Sequence, residues 1–168
     1  MLKRLLAALC ACALAVAIAG CSAPAAEQET EQAEQAEQTK TVTLYLPDEQ
    51  GEAVVPTQTE VSFGGQDEAA ALLAALVGEG VLPAEVAVGS LTQEEGNLTL
   101  DLNSAFAEAL SASGSTGENM IMASVVDTYL AYYGAASLLI TVDGGTLETG
   151  HAIYDEPFTQ IFDAAPAA

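Results

Sequence analysis

His151 is the chain's single histidine, and Asp143, Glu148, Asp155 and Glu156 lie near it in sequence. Histidine ordinarily titrates near neutrality and is the commonest metal-ligating side chain, so the grouping invites an acid–base or metal reading. A lone histidine lacks the further nitrogen or sulfur ligands of a typical zinc site. Gly150-His151 is therefore expected to be a structural corner, with no metal. A Ser-His-Asp set can be assembled on paper from most sequences, but no Gly-x-Ser-x-Gly elbow supports one. Paired carboxylates could serve glycoside hydrolysis. With 24 acids in 168 residues, however, pairs arise by chance, and the absence of Trp weakens a sugar-stacking platform. Tyr129, Tyr132 and Tyr133 have helical spacing, which places them in a core with hydroxyls at its edge. Asp48-Glu49-Gln50-Gly51-Glu52 offers oxygen ligands without the EF-hand pattern. Gly64-Gly65 and Gly144-Gly145 lack the context of a phosphate loop. No catalytic residue, cofactor or enzymatic activity is expected.

One thiol has a clearer use. Ile18-Ala19-Gly20-Cys21 closes an apolar run that follows Lys3 and Arg4. A charged start, an apolar middle and small residues before a cut site make a secretory signal. The run from Leu5 to Ala19 is shorter than the roughly 20 residues a spanning helix needs. With its final cysteine, the segment resembles the lipobox of bacterial lipoproteins. The resemblance implies that the Cys21 thiol takes a lipid and that cleavage makes Cys21 the new N-terminus. Residues 1–20 are then the signal, and the rest works outside the cytoplasmic membrane, tethered to it. Cys10 and Cys12 leave with the signal, so no free thiol remains for a disulfide, a metal or catalysis.

Charge narrows the partners further. Lys3, Arg4 and Lys40 are the only Lys and Arg residues, so the processed chain sets Lys40 against 24 acids, a formal −23. Of those acids, 5 precede Thr41 and 19 follow it. From Thr41 onward there is no Lys or Arg. That excludes Schiff-base chemistry, Arg clamps on phosphate, a basic nucleic-acid footprint and internal Lys or Arg salt bridges. Nucleic acid is not a partner. Crowded like charges predict a fold that salt and mild acid stabilise.

Residues 22–40 repeat Glu, Gln and Ala with no large apolar side chain, too little to offset ordering entropy. Residues 21–40 are read as a lipidated cysteine and a disordered tether, residues 41–163 as the folded domain, and residues 164–168 as a frayed tail. Thr41–Leu46 alternates as a strand and Pro47–Gly51 has turn chemistry. A second strand is expected over Thr57–Phe63, and a helix over Asp67–Val77 ending at Gly78. Glu85–Thr92 and Asn97–Leu102 form a hairpin across Glu94-Glu95-Gly96. Ser104–Leu110 is read as a short helical turn and Ser111–Gly117 as a loop. Ser115 and Glu118 have capping-box spacing and open a helix to Tyr133. Ser137–Val142 is a buried strand, followed by a short edge strand at Leu147–Ala152. These elements make an α+β layer fold, with a small mixed, mainly antiparallel sheet and two main helices.

In that order the motifs resemble the GerMN domain, a sporulation and spore-germination domain of bacterial lipoproteins. The motifs are Leu44-Tyr-Leu-Pro-Asp48, Val55-Pro56, Ala70–Gly78, Leu98-Thr-Leu-Asp-Leu-Asn-Ser-Ala-Phe106, Val125-Val-Asp-Thr128, Val142-Asp-Gly144 and Gly150-His151, with Phe158 after them. Gly78-Glu-Gly80, Thr57 and Asn103 depart from the family pattern, at positions expected to bear on surface contacts. The resemblance implies a fold similar to ring-building motifs, one copy rather than a tandem pair, and no catalytic residues.

The expected function is a non-enzymatic interaction module. It would be lipid-anchored at Cys21 on the extracytoplasmic face of the cell membrane and would dock an envelope protein or cell-wall partner. Sporulation or germination is the process that the resemblance implies. The alternative is an envelope lipoprotein that binds a cell-wall fragment or small solute, for which a deep central pocket would speak. A hydrolase would instead need a cleft joining His151 to converging acids.

Overall fold

The computed structural model describes residues 39–162. The signal, Cys21, nearly all of the tether and the tail lie outside the described residues. The elements are β1 (Thr39–Pro47), β2 (Val54–Ser62), α1 (Glu68–Gly78), β3 (Val88–Glu94), β4 (Asn97–Leu102), α2 (Ser104–Tyr133), β5 (Ser137–Val142), β6 (Gly145–Glu148) and β7 (Ile153–Tyr154).

The alternation of β1 pairs it antiparallel with β2, from Thr39 opposite Ser62 to Pro47 opposite Val54. The hairpin loop is the Asp48–Ala53 segment. Asp48 Oδ1 accepts the Glu52 N–H at 2.9 Å, and Gly51 adopts φ 68° to close the turn. Those backbone donors, Glu52 foremost, hold the Asp48 pKa below its ordinary value. Its oxygens thus serve the loop. β1 starts at Thr39, which brings Lys40 into the fold. Lys40 Nζ lies 2.9 Å from Glu68 Oε1 and 4.8 Å from the centre of the Phe63 ring. The expectation of a fold without a Lys or Arg salt bridge therefore fails at its N-terminal edge. Both partners are about half exposed, so the pair adds little stability.

Asp67 caps α1, accepting the Ala69 and Ala70 N–H groups at 3.0 and 3.4 Å. The helix ends one turn-residue later than expected. Gly80, at φ 77°, takes the left-handed position, and Val81 N–H reaches back to Leu76 O at 3.0 Å. This is the Schellman arrangement, which satisfies carbonyls that a helix end leaves open.

The second sheet runs β3-β4-β5-β6-β7. Its pairs are antiparallel except β4 with β5, which are parallel and joined by α2 as the crossover. The α+β class thus holds, with the strands divided between two sheets. α2 packs on β1 and β2 of one sheet and on β4 and β5 of the other, and α1 touches β2 and β3. Between them lies one continuous core that includes Leu44, Leu72, Leu76, Leu98, Leu100, Phe106, Tyr129 and Ile140, each fully buried.

The expected loop at Ser111–Gly117 is largely helical. Only Gly114 leaves helical geometry, at φ 67° and ψ 170°, and it kinks one long helix. Serine hydroxyls cap local carbonyls there: Ser111 Oγ donates to Ala107 O at 2.8 Å and Ser113 Oγ to Leu110 O at 2.7 Å. Lying between two sheets, α2 is buried without interruption from Met122 to Leu130. Asn103 also does more than a surface residue. Its amide accepts from Ala87 N–H at 3.1 Å and donates to Glu85 O at 2.8 Å, tying the approach to β3 onto the start of α2.

Candidate functional site

β6 and β7 are joined by a corner of four residues, Thr149-Gly150-His151-Ala152. Its backbone closes through Thr149 N–H to Ala152 O at 2.9 Å. The Thr149 hydroxyl oxygen accepts the N–H groups of His151 and Ala152 at 3.2 and 3.1 Å. Beneath the corner lies Glu118, only 2% exposed. Its Oε1 accepts from the Thr149 hydroxyl and the Tyr154 hydroxyl, both at 2.7 Å. Its Oε2 lies 2.9 Å from His151 Nδ1. The capping-box reading of Glu118 is thereby overturned, because the carboxylate is spent on residues more than thirty positions away.

The electrostatics follow from these contacts. Burial raises the Glu118 pKa, but the bonds from Tyr154, Thr149 and His151 outweigh it and leave the carboxyl below its ordinary 4.5. Burial, together with the bond to this carboxylate, pushes the Tyr154 hydroxyl up to about 12. A carboxylate held by three donors, with its pKa below the ordinary value, is a poor general base. Asp143, Glu148, Asp155 and Glu156 are all exposed, and none joins this cluster. Among the described residues, no group of three or more His, Cys, Asp or Glu side chains is placed to hold a metal. A concavity of about 320 Å³ borders Tyr45, Asp127 and Gln160, and one of about 290 Å³ is lined by Ile153–Phe158. Neither includes His151.

The three tyrosines take separate places. Tyr129 is fully buried, and its hydroxyl donates to Ala69 O at 2.6 Å, linking α2 to the first turn of α1. Tyr132 stacks on Phe63 at 5.8 Å between ring centres and meets the edge of Tyr133 at 5.0 Å. The rings therefore fill space between the helices and the end of β2. Cys21 lies outside the described residues.

A second polar knot escaped the sequence reading. Asp127, on α2 and 1% exposed, accepts the N–H of Ile161 at 2.7 Å on one oxygen and of Phe162 at 3.0 Å on the other. Phe162 packs against Tyr45, Val54, Met120 and Ala123. Thr128 accepts the Tyr45 N–H at 2.9 Å, so α2 occupies the edge of β1 that no strand covers. Ser124 Oγ, one turn earlier, is buried without a hydrogen-bond partner among the described residues. The signal for this knot was available: Ser124, Asp127 and Thr128 interrupt an apolar run at i, i+3 and i+4.

Asp127 and Glu118 should respond to pH in opposite ways. Burial raises the Asp127 pKa, partly offset by its two backbone donors. A carboxylate with a raised folded pKa gains stability for the fold as pH falls from that value to its ordinary 3.8. Glu118, with a lowered value, contributes stability above 4.5 that is lost as pH falls through its folded value. The melting temperature of the wild type should therefore pull away from that of Asp127→Asn as pH falls through the Asp127 window. A gap that stays constant with pH would contradict this assignment.

A family profile for the Germane domain, described as sporulation and spore germination, matches residues 43–148. No curated protein matches the chain significantly. Among solved structures, the tandem GerMN domains of the sporulation protein GerM from Bacillus subtilis superpose with a TM-score of 0.54 at 19% identity. The match covers 74% of this chain and 46% of that one, so this chain spans less than half of the tandem protein. A crystal structure of a candidate lipoprotein from Clostridium perfringens aligns at 18% identity with a TM-score of 0.47, over 75% of this chain and 91% of that one.

Proposed function

From the premise that this chain belongs to the Germane family of sporulation and spore germination, we propose that it is a lipid-anchored, non-enzymatic docking module. It would sit on the extracytoplasmic face of the cell membrane, joined to it through Cys21, and would bind an envelope protein or cell-wall component. The observation that carries the docking reading is the filled interior. Apolar side chains from both sheets and both helices meet in one core, while strand edges and an outer sheet face stay open. That arrangement supports contact with another macromolecule over capture of a small solute. The Glu118 carboxylate, held by three donors from and beside this corner, supports a structural role for Gly150 and His151. Anchoring is supported by the sequence Ile18–Cys21. No helix among the described residues is long and apolar enough to cross a membrane.

Anchoring is checked by metabolic labelling with a fatty acid. Wild type should carry the label and sediment with membranes, and Cys21→Ala should lose the label completely. Label retained by Cys21→Ala would refute the anchor. Saturable capture of a small soluble cell-wall fragment or solute within a concavity of the domain, in place of surface contact with a protein or the intact wall, would favour the ligand-binding alternative.

A further inference from the structure

The five-stranded sheet ends on β3, and β3 carries no strand on its other side. Its hairpin with β4 turns through Glu95 and Gly96, both at positive φ, 51° and 83°. That is a two-residue turn of the primed type, in which the flanking residues form a hydrogen-bonded pair. Glu94 and Asn97 are that pair, and Thr92 with Thr99 is the next. The N–H and C=O groups of Leu91 and Gln93 therefore point away from β4, along the open edge. Regular pairing stops at the register shift between Val88 and Ser90. Just beyond it lies a groove of about 290 Å³ between α1 and the approach to β3, lined by Ala70, Leu73, Ala74, Val77, Val86 and Val88. Leu73 and Val86 are buried, and the small alanines leave the space above them open.

We propose that this edge and groove dock an extended segment of a partner protein in which apolar residues alternate with Lys or Arg. The proposal deepens the docking reading above and rests on it. An added strand would pair with Leu91 and Gln93, and its apolar side chains would enter the groove. Main-chain bonds give such strand addition its affinity and side-chain pockets give it specificity. Charge selects the occupant. Glu79, Glu85, Glu94 and Glu95 are exposed on the segments that border groove and edge. Lys40 is the only Lys or Arg among the described residues, and Glu68 holds it. A second copy would bring its own 19 acids after Thr41 against this surface. The chain's own Glu27–Gln38 segment is also acidic and has no large apolar residue. A basic segment meets both the field and the groove.

The test is an NMR titration of the full chain with three synthetic hexapeptides: alternating lysine–valine, alternating glutamate–valine, and lysine–valine methylated on alternate backbone nitrogens. The lysine–valine peptide should shift the amides of Leu91 and Gln93 and the methyls of Leu73 and Val86. The glutamate and N-methylated peptides should bind at least about ten-fold more weakly. Gln93→Pro removes an outward N–H that the β4 ladder does not use, and it should weaken binding about ten-fold with the fold intact. Ala74→Leu, which fills the groove, should act the same way. Shifts confined to another face, equal binding of all three peptides, or self-association through this edge would each overturn the proposal. A protein adduct in the envelope without peptide binding here would sink this site and leave the docking reading standing. Peptide binding here without any envelope adduct would do the reverse.

Discussion

Glu118→Ala is expected to lower the unfolding free energy of the full chain by about 3 kcal/mol, because three buried or half-buried donors lose their acceptor together. The Thr149 and Tyr154 hydroxyls each sit 2.7 Å from Oε1, and His151 Nδ1 sits 2.9 Å from Oε2. Deleting the carboxylate also leaves a space beneath the corner that joins β6 to β7. Tyr154→Phe removes one donor and leaves two, so it should cost only about 1 kcal/mol. His151→Ala should cost no more than that, since the imidazole is 43% exposed and can rehydrate. Urea unfolding of the three variants checks the order. Equal effects for Glu118→Ala and His151→Ala would mean that the corner does not depend on the carboxylate as a shared acceptor.

Phe106→Ala should be at least as damaging, at about 4 kcal/mol, because it empties a fully enclosed site in the core. Phe106 lies on the short part of α2 before the Gly114 kink, in the same cluster as Leu98, Leu100 and Leu110. Little can collapse into the space without moving the helix relative to β4. Ile153→Ala provides the contrast. Ile153 is 64% exposed, so its truncation should change the denaturation midpoint very little. A small loss for Phe106→Ala would show that the first part of α2 is not part of the core, and the filled-interior argument would weaken with it.

Periodicity and punctuation carried much of the fold. Alternation marked β1, a buried run marked β5, Asp67 marked the start of α1, and Glu94-Glu95-Gly96 marked the hairpin that includes β4. What could not be read was governed by distance in the chain. Ser111–Gly117 looks like a loop because serine, glycine and threonine prefer turns, yet packing of both flanks on the sheets keeps all but Gly114 helical. Ser115 and Glu118 have the local spacing of a cap. A threonine, a tyrosine and a histidine from the far end of the chain compete for the same carboxylate and win, because burial makes those bonds worth more than an exposed cap. α2 reads as one apolar face, but with a sheet on each side it needs partners all round, which explains Asp127 and Thr128. The division into two sheets was hidden for a related reason: β1 has the pattern of a sheet strand, and a helix side chain covers its outer edge.

The same limit applies to the candidate site. Glycine and the isolation of the histidine drew attention to Gly150 and His151, which lie between β6 and β7. Glu118 was visible only as a capping residue, and its role depends on contacts that no local window contains. Leu91 and Gln93 could not have been singled out, since their open backbone groups follow from the turn type and the pairing register.

The most direct test of the account is photo-crosslinking in the intact envelope, with the full-length protein carrying a photoreactive residue at exposed positions across its surface. The account predicts saturable adducts with a protein or cell-wall partner, unchanged in Glu118→Gln and His151→Ala variants that remain folded. It also predicts that the adducts are lost when Cys21→Ala releases the domain from the membrane. No adduct at any exposed position, combined with cleavage of envelope material that stops in a folded His151→Ala variant, would contradict it.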